Sequence, residues 1–130
     1  MSTSTLASRR VAIRAAAAQT LEHCPYHPDR RIDFRTGATS LTQALILAAG
    51  GSFGAGRSWA NEPEESDARD SLHDVARELL ADLGLSTPAG MSPCRTLARW
   101  ERRSADPAAV YRLVGAHPAA SHHLRLSVAA

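Results

Sequence analysis

A chain of 130 residues fits a single domain with a modest core, and all 15 of its basic residues are arginine, set against 13 acids for a net charge of +2. The absence of lysine excludes Schiff-base chemistry on a lysine and the lysine-dependent phosphate loop, and the near-neutral balance argues against a strongly basic surface. Hydrophobic residues reach 44% but aromatic ones only 5%, so alanine fills the core and the expected fold is all-α, one compact domain of about five closely packed helices.

The first helix is expected from about Thr5 to Glu22, with Leu6, Ile13, Ala17 and Leu21 at helical spacing and Arg9, Arg10 and Arg14 near the polar side. Pro25 and Pro28 stop it. Ile32 and Phe34 alternate with charges in DRRIDFRTG, which reads as a short strand or extended loop. A second helix opens at Ser40, a plausible N-cap, and LTQALILAAGG is apolar on nearly every face; it should be the central buried helix, ended by Gly50 and Gly51. GSFGAGRSWANEPEES is a loop by composition.

The third helix carries Ala68, Leu72, Val75, Ala76, Leu79, Leu80 and Leu83 on one stripe, with acids in its first turns and Gly84-Leu85 as a Schellman-type stop. A fourth begins near Ser92 with Pro93 at its first position and runs to about Arg103, Leu97 and Trp100 facing inward. A fifth starts at Asp106-Pro107, with Val110, Leu113 and Val114 toward the core. SHHLRLSVAA reads as a disordered tail or a short terminal strand with Leu124, Leu126 and Val128, so the ordered core should span about 5–116 of a single 1–130 domain, with 117–130 as tail.

Charge is segregated. Residues 1–57 hold seven arginines against three acids, 58–91 two against eight, and 92–130 six against two. The simpler expectation is that the acidic third helix lies among the basic helices and cancels their field; the sharper one is a basic surface for nucleic acid or an acidic partner.

Several motifs invite chemistry. In HCPYHP, His23, Cys24 and His27 are competent zinc or copper ligands. Neighbouring side chains diverge on a helix, and Pro25 keeps the two histidines off one continuous helical face. A full site would need Cys94, His73 or His117, so the segment reads first as a helix stop. GSFGAGRS has phosphate-loop spacing with Arg57 in place of lysine, but it follows a helix and runs into WANEP, so the amides would not converge on a phosphate. LADLGLSTPAGMSPCRTLARWERR has the outline of a helix-turn-helix whose second helix carries Arg95, Arg99, Arg102 and Arg103 toward phosphates. Pro88, Gly90 and Pro93 lengthen the turn well beyond the ~3–4 residues of that motif. Asp70, His73 and Asp74 cluster on the third helix, where surface charge is the commoner role. Tyr26, Trp59, Asn61 and Glu62 could line a ligand pocket by the glycine-rich loop. No G-x-S-x-G elbow or H-E-x-x-H is present, and nothing calls for a cofactor.

TGATSLTQALILAAGG, LLADLGL and LARWERRSADPAAVYRLV follow one another as the pieces of a known family do. The chain resembles an uncharacterised family of small all-helical proteins frequent in actinobacteria, in which a C-A-x-G-A segment opens a buried helix, an acidic helix ends in L-G-L, and a later helix ends in an A-x-W-N-D-like motif. The abundance of Ala, Arg and Gly over lysine suits an actinobacterial genome. The resemblance spans most of residues 9–116. Phe34 stands where the family's cysteine would be, and Glu101-Arg102 replaces Asn-Asp after the tryptophan, so a function resting on those residues would be absent. The resemblance implies the fold and supplies no activity.

Three functions remain. The first is a non-enzymatic cytoplasmic binding or accessory protein that contacts a protein or small ligand. The others are a DNA-binding regulator using the arginines of the fourth helix, and a small enzyme of secondary metabolism with a pocket near the glycine-rich loop. The cytoplasmic location follows from two cysteines, too few for a disulfide framework, and from an N-terminal stretch with arginines inside its apolar run. No segment has the ~20 apolar residues of a membrane span.

Overall fold

A computed structural model describes residues 3–28, 37–53, 60–104 and 106–117, with side chains from Ala7 onward in the first helix. The chain is all-α: α1 (Thr3–His23), α2 (Leu41–Ala48), α3 (Ser66–Asp82), α4 (Pro93–Ser104) and α5 (Pro107–Val114), with one short ladder, β1 (Ser52–Phe53) and β2 (Ala60–Asn61), between α2 and α3. None of the described helices is long and apolar enough to cross a membrane. Leu6, Ile32, Phe34, Arg57, Trp59 and the tail residues Leu124, Leu126 and Val128, to which the sequence assigns roles, lie outside the described residues or side chains.

The central position expected of α2 is what the structure shows. Leu41 through Ile46 are all buried, and the helix packs on α1, α4 and β2. Ala17 and Ala18 lie with Ile13 and Leu21 on the buried face of α1, and small side chains there let α1 rest closely on α2. Ser40 caps α2 by accepting from Gln43 N at 3.1 Å. At its far end Gly50 turns with φ +102°, and Gly51 N–H donates to Ile46 O at 2.9 Å. A Cβ on Gly51 would stand 2.4 Å from Asn61 O and 2.6 Å from Ile46 Cγ2. Only glycine therefore lets β1 leave α2 so closely, and β1 pairs antiparallel with β2 in the register Ser52↔Asn61 and Phe53↔Ala60. The loop expected between α2 and α3 thus carries a small ladder at its base, which composition alone did not signal.

HCPYHP ends α1 and does more. His27 N–H donates to Thr39 O at 3.0 Å, and Thr39 N–H donates to Pro25 O at 2.9 Å. This parallel bridge seats Tyr26 beside the start of α2. His23 and His27 are exposed.

On α3, Ser71, Leu72, Val75, Ala76, Leu79 and Leu80 are buried. The stop is a full Schellman motif: Leu85 N–H reaches Leu80 O at 2.8 Å, Gly84 N–H reaches Ala81 O at 3.0 Å, and Gly84 takes φ +73°. The opposite flank carries the acids, and α1 supplies their partners. Arg9 meets Glu65 at 3.5 Å, Arg10 meets Glu78 at 3.2 Å, and Arg14 meets Glu78 at 3.6 Å and Asp82 at 3.8 Å. Arginines of α1 thus offset part of the acidic charge of α3, each exposed pair contributing ~0–1 kcal/mol. Asp106 caps α5 through Ala108 N at 3.1 Å. Val110 is buried as expected, Leu113 and Val114 pack partly buried at the core edge, and Tyr111 rather than either is the second fully packed residue.

Candidate functional site

Among the described residues, helix α4 contributes side chains to the buried carboxylate network, to a cluster of metal-competent donors and to a surface groove. Its buried stripe is Cys94, Leu97, Ala98 and Glu101, an i, i+3, i+4, i+7 series that places a carboxylate in the core. Trp100, expected to face inward, lies one position off that stripe: it is half-buried, packed on the edge of the core, while Glu101 is 1% exposed.

Four donors converge on Glu101. Its Oε1 accepts from Tyr26 OH at 2.9 Å and from Leu41 N–H at 2.7 Å; its Oε2 accepts from Thr42 N–H at 2.9 Å and from Thr42 Oγ1 at 2.5 Å. The carboxylate therefore caps the first amides of α2, where helix N-termini favour negative charge. Burial still outweighs the donors and pushes its pKa up to about 7. Burial, then the Glu101 charge and hydrogen bond, holds the Tyr26 hydroxyl well above its ordinary range, so it stays protonated and donates to Glu101. Tyr26 also meets Tyr111 edge-to-face at 6.0 Å. A fully satisfied network of this kind is architectural, and Tyr26 accordingly does not line the pocket proposed for it.

The first turn of α4 holds a second constellation. Glu62 follows β2, His73 lies on the flank of the α3 stripe and Cys94 starts α4. His73 Nε2 and Glu62 Oε1 are 2.5 Å apart, and one donor atom from each of Glu62, His73 and Cys94 lies within 4.8 Å of the other two. Cys94 is buried; the other two are half-buried. Burial, then the Glu62 charge, pushes the Cys94 thiol up, and Arg77 draws it partly back. Glu62 and Cys94 open onto a cleft of about 220 Å³ that Thr42, Asn61, Ser92 and Arg95 also line. Of the expected pocket residues, Asn61 and Glu62 thus meet.

His23, Cys24 and His27 do not form such a group: among the described residues Glu62, His73 and Cys94 are the set of histidine, cysteine and acid donors able to hold a metal. Pro25 is the reason, since it ends α1 between the two histidines. The Asp70–His73–Asp74 cluster also dissolves, because His73 turns to Glu62 while Asp74 pairs with Arg77 at 3.2 Å and lies 4.0 Å from Arg10.

The outer side of α4 forms the wall of a groove of about 310 Å³. Trp100, Arg99 and Arg103 face Leu85, Pro88 and Met91 of the connection from α3. No acid among the described residues lies within 4.0 Å of Arg95, Arg99, Arg102 or Arg103. Residues 83–92 separate α3 from α4, longer than a helix-turn-helix turn. No protein-family model, curated protein or solved structure matches the chain.

Proposed function

We propose that this chain is a non-enzymatic cytoplasmic binding protein that takes a flat, anionic small molecule in the groove along α4. The observation that carries the reading is Trp100, half-buried beside Arg99 and Arg103 in a groove of about 310 Å³. A tryptophan face stacks a planar ring, and guanidinium groups without acid partners meet its carboxylate, sulfonate or phosphate. Arg99 lies against Met91, with Nη1 3.9 Å from its sulfur, so an apolar support already holds one cation at the groove. Two free cysteines suit the cytoplasm, and the resemblance to small helical actinobacterial proteins is compatible with an accessory role.

Anilinonaphthalene sulfonate, an aromatic anion, is a direct probe. In a Trp59→Phe background it should quench Trp100 fluorescence, and Arg99→Gln with Arg103→Gln should weaken binding ~10-fold or more, the worth of charge-assisted hydrogen bonds. Equal binding by the double variant would end the reading. A DNA-binding reading rests on the unpaired Arg95 and Arg102, both exposed. A gel shift that collapses between low and moderate salt would support it, and no shift at low salt would remove it.

A further inference from the structure

We infer that Glu62, His73 and Cys94 bind a divalent zinc-like metal ion, with an open coordination position facing the cleft beside α4. The donors come from three separate elements, the segment after β2, α3 and α4, and converge to within 4.8 Å. Zinc bonds of about 2.0 Å to nitrogen and oxygen and about 2.3 Å to sulfur set tetrahedral donors about 3.5 Å apart. Small side-chain rotations close the triangle: the Glu62–His73 contact opens to admit the ion, and Cys94 approaches it.

The donor set selects the ion class. A thiolate and an imidazole are too soft for magnesium or calcium, while one carboxylate keeps the site borderline, as zinc and cobalt prefer. Charge balances as well. A dication with one carboxylate and one thiolate is neutral, so the loaded half-buried site carries no net charge once the thiol proton leaves to solvent. Arg77, exposed on α3, and Arg95, exposed at the cleft, are the cations nearby, and neither needs to move into the coordination sphere.

Three protein ligands leave a fourth tetrahedral position for water or a small ligand. The cleft provides the space, about 220 Å³, because Glu62 and Cys94 are themselves two of its walls. Ser92 is committed elsewhere as the cap of α4, its hydroxyl accepting from Arg95 N–H at 3.1 Å. Asn61, exposed at the rim, and Arg95 are lining polar groups able to meet what the ion holds. These residues are not those of the Trp100 groove, so either reading can fail without the other.

Cobalt is the probe. The untagged full chain, reduced and titrated with Co²⁺, should show one equivalent bound with a thiolate-to-cobalt charge-transfer band, which Zn²⁺ then abolishes. Cys94→Ala should lose the band and Cys24→Ala should keep it. His73→Gln and Glu62→Gln should each weaken binding at least ~10-fold, since even outer-shell partners of a metal are typically worth 10–100-fold. Exposed His23 and His27 flank the free thiol of Cys24, so the Cys24→Ala variant separates cobalt held there from cobalt held by Cys94. Should Cys94→Ala fail to fold by circular dichroism, the two variants at half-buried side chains carry the test. The inference is overturned by the absence of a band, by a band lost in Cys24→Ala, or by an affinity that neither His73→Gln nor Glu62→Gln changes.

Discussion

Glu101→Gln preserves shape while removing one acceptor, and the geometry around it gives the cost. The carboxylate takes two donors on each oxygen. Glutamine offers one oxygen, and its NH₂ must face the other pair. The Tyr26 or Thr42 hydroxyl can rotate and accept from it, but the backbone N–H of Leu41 or Thr42 cannot. One buried amide is left without a partner, which costs ~1–3 kcal/mol. At about 3–5 °C per kcal/mol for a domain of this size, the thermal midpoint should fall by roughly 3–15 °C near pH 8. The penalty also depends on pH. Folding raises the Glu101 pKa from 4.5 to about 7, so the folded state binds more protons between those values, and the Glu101 contribution to stability falls as pH rises through that window. The glutamine variant lacks this slope. Its deficit relative to wild type should therefore be largest near pH 5 and shrink toward pH 8, by on the order of 3 kcal/mol at most. Urea titrations of both proteins at several pH values measure it. A deficit under about 0.5 kcal/mol at every pH, or one that grows as pH rises, would refute the network as drawn.

Leu97→Ala, at a fully buried position, should cost ~2–5 kcal/mol, and Trp100→Ala less because part of that ring already faces the groove; thermal melts of the pair compare them. Gly51→Ala should destabilise by ~1–3 kcal/mol, since its methyl meets Asn61 O at 2.4 Å and must push the ladder off α2; it should also weaken cobalt binding by displacing Glu62. Arg14→Ala, which removes two half-exposed pairs to α3, should cost under ~1 kcal/mol at low salt and nothing measurable in molar salt, as denaturation at the two ionic strengths will read.

Helix positions were legible because local chemistry decides them. Gly84-Leu85 can end α3 in few other ways, Ser40 and Asp106 are caps by type, and a mainly apolar helix such as α2 has to sit inside. Trp100 is only half inward for a physical reason: the i, i+3, i+4, i+7 series through Cys94, Leu97, Ala98 and Glu101 makes a carboxylate the fully inward residue. That series was open to inspection, but a charge in a core is credible only once its donors are known, and Tyr26, Leu41 and Thr42 lie 75, 60 and 59 positions away. In the sequence Glu62 stands with the pocket residues, and His73 and Cys94 stand out as distant partners for HCPYHP. Their convergence depends on how the ladder leaves α2 and on where α4 starts against α3, and no local pattern encodes that.

The Glu101 bonds also set an order of assembly. Ribosomal synthesis delivers α2 long before residue 101, and until then the amides of Leu41 and Thr42 have no carboxylate to receive them. A nascent chain, or a fragment cut within residues 83–92, can form α3 and its ion pairs with α1 but holds an unfinished α2 and an exposed apolar core. Such a fragment should be recruited by chaperones or aggregate instead of persisting as a stable three-helix intermediate, so the last third of the chain governs whether the earlier part survives synthesis.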